Sequence, residues 1–301
     1  MTTARRETVT SIRTRADALP PQVLLLAAIG SVQFGAAFAD TIFPTVGPAG
    51  VALLRVAITA VILLLVVRPS LRGRNRSDLV LVAAYGLTLA AMNWSFYEAL
   101  ARLPLGVAVT IEFTGPLALA VAGSRRLLDV LWVVLAGGGV VLLALHGGDA
   151  DVHAAGVLLA LVAASCWALY ILLAKKVGKS FGALEALALG TAVGTFLVLP
   201  AGLVEGGAAL LRPSVLASCL GVAMLSSLIP YTLELVALRR LSTAIFGLLM
   251  SLEPAVAALA GVIVLGESPT LVLGVALVMV ATASIGATLV SRRPVIDAPE
   301  A

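Results

Sequence analysis

Charged residues are scarce in this chain. Only 12% of its 301 residues are charged, whereas 60% are hydrophobic, and the mean hydropathy is +1.10. Soluble domains carry about 25% charged residues, so the chain lacks the polar surface that water requires. The composition therefore predicts a protein that faces lipid over most of its surface.

Cysteine and histidine are also rare. The two cysteines, Cys166 and Cys219, lie inside apolar runs, so we expect neither a disulfide framework nor a thiolate metal site. The two histidines, His146 and His153, flank one short polar loop and supply too few ligands for a metal centre. No P-loop pattern occurs, so the chain is not expected to hydrolyse ATP. We predict no cofactor and no metal.

The positive charge is clustered rather than spread along a surface. The net charge is +4 and the pI is about 9.4, but the basic residues form short groups between apolar runs. No basic stripe or aromatic stacking motif for nucleic acid is present. A nucleic-acid partner is therefore not expected.

The apolar runs are long enough to cross a membrane. A helix needs about 20 apolar residues to cross a hydrocarbon core of about 30 Å. Ten such runs are predicted, near residues 22–39, 49–67, 79–97, 105–122, 130–145, 156–174, 182–203, 214–236, 243–264 and 270–290. We therefore predict an all-α membrane protein with ten transmembrane helices and no inserted soluble domain.

The basic residues give these runs an orientation. If the N-terminus is cytoplasmic, only Arg55, Arg102 and Arg212 of the 20 Lys and Arg residues fall outside the cytoplasmic segments. The positive-inside rule therefore predicts that both termini are cytoplasmic. The terminal tails are predicted at residues 1–21 and 291–301.

The first run has a second interpretation. Its basic N-terminal flank and the sequence Ala37-Phe38-Ala39 resemble a signal peptide with a small-residue cleavage site. A retained first helix is favoured, because the apolar stretch is long and carries Gln33, which is unusual in a segment that is removed.

Two stretches offset by 138 residues match each other. Ala99–Leu103 (ALARL) parallels Ala237–Leu241 (ALRRL), and Pro116 and Pro254 follow at the same interval. Since five helices fill each half, the second half enters the membrane in the opposite sense. We therefore predict two inverted repeats, at 22–145 and 156–290, which is a recurring plan of secondary transporters.

Longer stretches carry a family resemblance. Met92–Val121, Ser124–Ala136, Ser165–Leu172 and Ser226–Leu259 resemble the EamA-type families of the drug/metabolite transporter superfamily, most closely the bacterial threonine/homoserine exporters. The resemblance implies two EamA repeats in the bacterial cytoplasmic membrane and export of small amino acids. The implied partners are the amino acid substrate, protons and membrane lipid, and no oligomeric state is predicted.

Charged side chains inside the predicted spans are candidates for the transport site, because each costs about 2.5–3.5 kcal/mol at the bilayer centre. Glu112 is the strongest candidate. Pro116 cannot donate the helical hydrogen bond to the Glu112 carbonyl, so this position offers a carboxylate and a free acceptor. Glu112 could bind a substrate ammonium or a coupling proton. The alternatives are a structural pair with Arg55 or a buried hydrogen bond. Arg55 could bind a substrate carboxylate or snorkel outward.

Two further glutamates are weaker candidates. Glu253 adjoins Pro254 and could bind a proton or substrate, or pack as a neutral acid against the kink. Glu234 follows Pro230 near the predicted cytoplasmic end of its span. There an ion pair with Arg239 or Arg240 is the alternative to a substrate role.

Neutral polar and aromatic residues complete the predicted lining of the site. They are Gln33, Asn93, Tyr97, Trp167, Tyr170 and Tyr231. Amides, phenols and aromatic faces suit an amino acid, whereas the alternative is interhelical hydrogen bonding or interface anchoring. Helix kinks are predicted at Pro116, Pro230 and Pro254.

Four residues are given structural interpretations. Glu98 and Glu185 lie near span ends and are interpreted as solvated. Gly190 and Gly194 form a GxxxG pattern, which lets helices approach closely, so we predict a packing role for them.

The favoured hypothesis is a secondary active transporter that exports small amino acids by proton antiport. An exporter of another metabolite or a drug is the close alternative. A membrane enzyme would need clustered His, Asp or Glu, and the loop from His146 to His153 is the only place that offers them. A channel would need a symmetric oligomeric pore or a ring of like charges. Both of these classes are disfavoured.

Overall fold

The computed structural model describes residues 19–122, 127–146, 154–238 and 240–290. Helices are the only regular secondary structure in these ranges. The loop 147–153, Arg239 and nearly all of both predicted tails lie outside the described residues.

Ten helical stretches follow one another in the described part of the chain. They are α1 (Pro21–Asp40), α2 (Phe43–Val67), α3 (Arg76–Leu100), α4a (Leu105–Glu112) with α4b (Thr114–Ala122), α5 (Leu127–His146), α6 (Ala154–Val177), α7 (Ala183–Gly206), α8a (Pro213–Ala223) with α8b (Ile229–Leu238), α9a (Thr243–Met250) with α9b (Glu253–Ala260), and α10 (Leu271–Val290). Two π-helical segments belong to these stretches: Met224–Leu228 joins α8a to α8b, and Gly261–Leu265 extends α9b.

Seven of these stretches are long and apolar enough to cross a membrane: α1, α2, α3, α6, α7, α8 and α9. The apolar parts of the other three are shorter, at Leu105–Leu119, Leu131–Leu143 and Leu271–Gly286. The prediction of an all-helical, multi-pass membrane protein is therefore confirmed for the described residues. The count of ten crossings and the inversion of the repeats stay predictions.

Helix starts follow the local sequence. Pro21 and Pro213 begin α1 and α8a at positions where a missing N–H has no cost. Asn75 caps α3: its Oδ1 accepts a hydrogen bond from Asp78 N at 2.7 Å, and Asp78 accepts one from Asn75 N at 3.3 Å. Ser242 caps α9a by accepting a hydrogen bond from Ile245 N.

Helix α2 begins earlier than predicted. The run was expected from residue 49, but the helix starts at Phe43 and bends at Gly47, whose φ is 70°. The bend occurs because Pro48 follows a left-handed glycine, and neither residue continues a regular helix. The N–H of Ala49, freed at this bend, donates to Glu205 Oε2 of α7 at 2.9 Å.

The fourth and ninth stretches are both interrupted near the middle. α4 breaks at Phe113 and α9 breaks at Ser251–Leu252, in each case shortly before the proline that the sequence singled out. Phe113 and Ser251 are 138 residues apart, as are Pro116 and Pro254. The chain therefore repeats a structural irregularity as well as a short sequence match.

The glycine pattern on α7 marks a close helix contact. A Cβ on Gly86 of α3 would collide with the Gly190 carbonyl, and a Cβ on Gly194 would lie 2.7 Å from Ala90 Cβ. The packing role predicted for Gly190 and Gly194 is confirmed.

The prediction that Glu98 is solvated is wrong. Its side chain is only 14% exposed and forms an ion pair with Arg102 Nη1 at 2.6 Å. Trp94 Nε1 also donates to Glu98 Oε1 at 3.1 Å. The arginine lies four residues later and folds back over the helix end, which the hydropathy pattern does not reveal. Glu185 is more exposed, at 33%, and accepts a hydrogen bond from Gly182 N at the start of α7.

The two ends of the helical bundle differ. We call the end where α4a begins and α9 finishes the Glu267 end, and the end with the α2–α3 and α6–α7 loops the Arg74 end. At the Glu267 end, α4a packs against α9b, and Glu267 Oε1 accepts a hydrogen bond from Leu105 N at 2.8 Å. At the Arg74 end, α4b packs against α5, α6 and α10, whereas α9a packs against α1, α8b and α10.

Candidate functional site

A cavity of about 550 Å³ is lined by residues of both α4b and α9a. Its volume falls within the range of about 300–1,000 Å³ that is usual for small-molecule sites. Nine of the ten predicted site residues line it: Gln33, Arg55, Asn93, Glu112, Trp167, Tyr170, Tyr231, Glu234 and Glu253. They come from α1, α2, α3, α4a, α6, α8b and α9b, so residues distant in sequence converge on one space.

Arg55 is held inside the bundle. The residue is 7% exposed, so it does not snorkel outward. Its Nε donates to Ser227 Oγ at 3.1 Å and its Nη2 donates to the Ser226 carbonyl at 2.7 Å. Because each terminal nitrogen carries two N–H groups, one N–H on Nη1 and one on Nη2 have no partner among the described residues.

Tyr97 lies behind Arg55 rather than in the cavity wall. It is fully buried, and its hydroxyl accepts a hydrogen bond from Arg55 Nη1 at 3.0 Å. The Arg55 guanidinium carbon also lies 5.4 Å from the centroid of the Tyr97 ring. Tyr97 was expected to line the site, but this geometry makes it a support for Arg55.

Three carboxyl groups face the same cavity. Glu112 is the last residue of α4a and is 9% exposed, Glu253 is the first residue of α9b and is 4% exposed, and Glu234 lies on α8b. Within the described residues, neither Glu112 nor Glu253 has a hydrogen-bonded or ion-paired partner, so the proposed structural pair of Glu112 with Arg55 does not form. Buried charges need partners, so these groups require protons or a cationic ligand.

Comparison with known proteins decides the family. The model of the EamA-like transporter family matches residues 154–289. The chain is 44% identical over 275 residues to the threonine/homoserine exporter RhtA of Salmonella typhimurium (strain LT2) and to that of Escherichia coli (strain K12), which covers 91% of this chain and 92% of each relative. This chain belongs to the EamA-like transporter family.

The fold has a solved counterpart. The crystal structure of another protein superposes on this chain with a TM-score of 0.60. The superposition covers 90% of this chain and 98% of the other chain, and the two sequences are 20% identical. The EamA-type resemblance seen in the sequence is confirmed by the family model and by the curated relatives. Because the curated relatives are named as exporters, this EamA-like chain is a transporter and not an enzyme.

The proline kinks contribute to the site of this EamA-like transporter through the backbone. Pro230 has no N–H, so it cannot bond to the carbonyl of Ser226, four residues earlier. That carbonyl instead accepts the hydrogen bond from Arg55 Nη2. Ser226 and Ser227 were missed in the sequence. Their position just before Pro230 in a predicted membrane span was the sequence feature that could have identified them.

The predicted amide and aromatic residues have different environments. Asn93 Nδ2 donates to the Leu89 carbonyl of its own helix at 2.7 Å, whereas Gln33 Oε1 is buried without a hydrogen-bond partner among the described residues. The Trp167 ring meets Phe113 edge-on at 6.0 Å. The Tyr170 ring stacks on a tyrosine of α3 at 5.1 Å.

Several further lining residues were not predicted. They are Val32, Ala36, Met92, Phe96, Val109, Phe113, Leu117, Ile171, Leu238, Phe246, Gly247, Met250 and Ser284. Most are apolar, and an apolar residue in a membrane span looks the same in the sequence whether it faces lipid, a neighbouring helix or a cavity. Only the three-dimensional structure shows which of these three environments an apolar residue has.

Proposed function

We propose that this EamA-like transporter exports small amino acids of the threonine and homoserine type from the cytoplasm, in exchange for protons. The observation that carries the proposal is the cavity in which a buried guanidinium and three carboxyl groups face one space. An amino acid offers the complementary carboxylate and ammonium groups. The curated relatives are named threonine/homoserine exporters, which supports this substrate type and this direction of transport.

The proposed architecture is ten transmembrane helices in two inverted repeats, at 22–145 and 156–290, in the bacterial cytoplasmic membrane. The equal offset of the two helix breaks, at Phe113 and Ser251, supports a repeat that includes the candidate site. The segregation of the basic residues supports cytoplasmic termini. With that orientation the Arg74 end faces the cytoplasm, and substrate would enter the cavity lined by α4b and α9a from that side.

In the proposed mechanism, Arg55 binds the substrate carboxylate. Its two unused N–H groups lie on different terminal nitrogens, which matches the paired contact that guanidinium groups make with carboxylates. The positions of Tyr97, Ser226 and Ser227 support this role, because together they fix the guanidinium group before substrate arrives.

Glu112 couples transport to protons in this mechanism. A carboxyl group in a dry cavity is stable either with a proton or beside a cation, but not as a bare charge. Entry of the ammonium group of the substrate would then displace the proton, and entry of a proton would displace the substrate. This competition is what an antiporter requires.

The experiment is transport of labelled threonine into inverted membrane vesicles, with and without a pH gradient. Glu112→Gln keeps the size of the side chain and removes its ionisation, so we expect normal insertion but a loss of proton-driven transport of at least about tenfold, which corresponds to roughly 1.4 kcal/mol. Any residual exchange should be insensitive to pH. Glu253→Gln should reduce transport less.

Glu185→Gln is the matched control, because Glu185 caps α7 and does not line the cavity. Its transport rate and pH dependence should equal those of the wild type. Normal rates and normal pH dependence for Glu112→Gln would show that this carboxylate is structural and would refute the coupling mechanism.

A further inference from the structure

Gln33 of α1 is a polar residue of the cavity wall whose side chain has no hydrogen-bond partner among the described residues. The residue is 3% exposed, and its Oε1 is buried without a donor. No described residue bonds to its Nε2 either. The other wall residue with a buried, partnerless side-chain oxygen is Ser226, whose Oγ packs against Gly35 of α1. The primary amide of Gln33 therefore stands out as an unmatched polar group of the wall.

Such an amide requires a partner from outside the described protein. Burying it without hydrogen bonds costs free energy, because the amide gives up its bonds to water and gains none in return. Buried polar groups in native proteins are nearly always satisfied, so an exception needs an explanation. The other residues of α1 that line the cavity, Val32 and Ala36, are apolar and offer no side-chain partner. The space that can hold a partner for Gln33 is the cavity itself.

The packing of α1 places Gln33 at the depth of Arg55 in the bundle. Ser31 Oγ donates to a carbonyl of the π-helical segment of α8 at 2.6 Å, and a Cβ on Gly35 would collide with Ser226 Oγ in the same segment. Gln33 lies midway between these two contacts, about 3 Å along the helix axis from each. The Ser226 carbonyl in turn binds Arg55. A small ligand held by Arg55 is therefore level with Gln33.

The chemistry of the amide suits the one part of the proposed substrates that has no assigned partner. In the proposed mechanism, Arg55 binds the carboxylate and Glu112 meets the ammonium group. Threonine and homoserine share one further polar group, a hydroxyl on the side chain. A hydroxyl carries one donor, and the amide oxygen of glutamine is a neutral acceptor. The amide can therefore bind a hydroxyl without competing for either charged group.

We propose that Gln33 recognises the side-chain hydroxyl of the substrate, which donates a hydrogen bond to Gln33 Oε1. This inference rests on the proposed function and refines it, because it names the residue that selects hydroxy amino acids over amino acids with apolar side chains. The glutamine side chain is long and has many rotamers. Its amide can therefore follow a hydroxyl on Cβ, as in threonine, or on Cγ, as in homoserine.

The test compares threonine with L-2-aminobutyrate, which keeps the carbon skeleton, the carboxylate and the ammonium group but lacks the hydroxyl. The Kd of each ligand is measured with the purified full-length protein. The wild type should bind threonine at least about tenfold more tightly, which corresponds to roughly 1.4 kcal/mol, because a site that hydrogen-bonds a hydroxyl rejects the analogue without it. Gln33→Met keeps the length of the side chain and removes the amide. It should raise the Kd for threonine about tenfold and should not raise the Kd for 2-aminobutyrate.

Gln22→Met is the matched control. Gln22 lies on the same helix, but it is exposed and does not line the cavity. This variant should change neither Kd. An unchanged Kd for 2-aminobutyrate also shows that the cavity of Gln33→Met is intact. Gln33→Leu replaces Gln33→Met if that variant does not fold, and the wild-type preference for threonine tests the proposal without any variant.

Three results would overturn the role of Gln33. Equal weakening of both ligands in Gln33→Met would show that the residue only supports the wall. An unchanged Kd for threonine in this variant would show that water, and not substrate, satisfies the amide. A wild-type protein that binds threonine and 2-aminobutyrate equally well would show that the hydroxyl is not recognised. A wild-type protein that binds neither threonine nor homoserine would instead contradict the proposed function itself.

Discussion

The two ends of the broken helices α4 and α9 are built in opposite ways. At the Glu267 end, α4a and α9b pack so closely that a Cβ on Gly106 would lie 2.9 Å from Ala258 Cβ. At the Arg74 end, α4b and α9a have different neighbours, and their residues line the cavity. The breaks at Phe113 and Ser251 separate the parts of α4 and α9 that pack against each other from the parts that pack against different helices.

This difference relates the location of the candidate site to the transport cycle. Glu112 and Glu253 lie beside the breaks, so the groups proposed to bind substrate and protons lie where the contact between α4 and α9 ends. A transporter must reverse which end is closed, and packed interfaces switch between discrete arrangements rather than deform continuously. Contacts at the Glu267 end are therefore expected to control the balance between the two arrangements.

The largest effect on this balance is expected from Gly106→Leu. A side chain at Gly106 would collide with Ala258 and force α4a away from α9b. Overpacking of this kind costs about 1–3 kcal/mol, which would shift the balance toward opening at the Glu267 end by roughly 5–150-fold. The measurement is the labelling rate of Val32→Cys in the cavity wall by a membrane-impermeant maleimide supplied at the Glu267 end, in a background without the native cysteines.

Gly137→Leu is the matched control for this variant, because a Cβ on Gly137 meets no atom within 4 Å. It should leave the labelling rate of Val32→Cys unchanged. Equal labelling in Gly106→Leu and Gly137→Leu would mean that the contact between α4a and α9b does not keep this end closed.

A smaller effect is expected from Glu267→Ala. The Glu267 carboxylate accepts the hydrogen bond of Leu105 N at the start of α4a, where Pro104 provides no side-chain cap. Loss of such a cap costs about 0.5–2 kcal/mol, so labelling of Val32→Cys should rise severalfold. Glu267→Gln keeps an acceptor oxygen and should stay close to the wild type. A larger rise in Glu267→Gln than in Glu267→Ala would contradict the capping role.

The helical class and most residues of the candidate site could be predicted from the sequence. Charged groups are so costly in a membrane span that Arg55, Glu112 and Glu253 stand out without any structure. The repeated prolines similarly marked the two helix breaks, although the breaks fall shortly before Pro116 and Pro254 rather than at them.

Other features depend on contacts between residues distant in sequence and could not be predicted. Whether Tyr97 faces the cavity or supports Arg55 depends on how α2 and α3 pack. The role of Glu267 requires the α9–α10 loop to lie over the start of α4a.

The most direct test of the central claim is a structure of this transporter with threonine bound. We predict that the amino acid occupies the cavity between α4b and α9a. Its carboxylate should contact the terminal nitrogens of Arg55, and its ammonium group should lie beside the Glu112 carboxylate. Threonine bound outside this cavity, or bound with its carboxylate away from Arg55, would contradict the account.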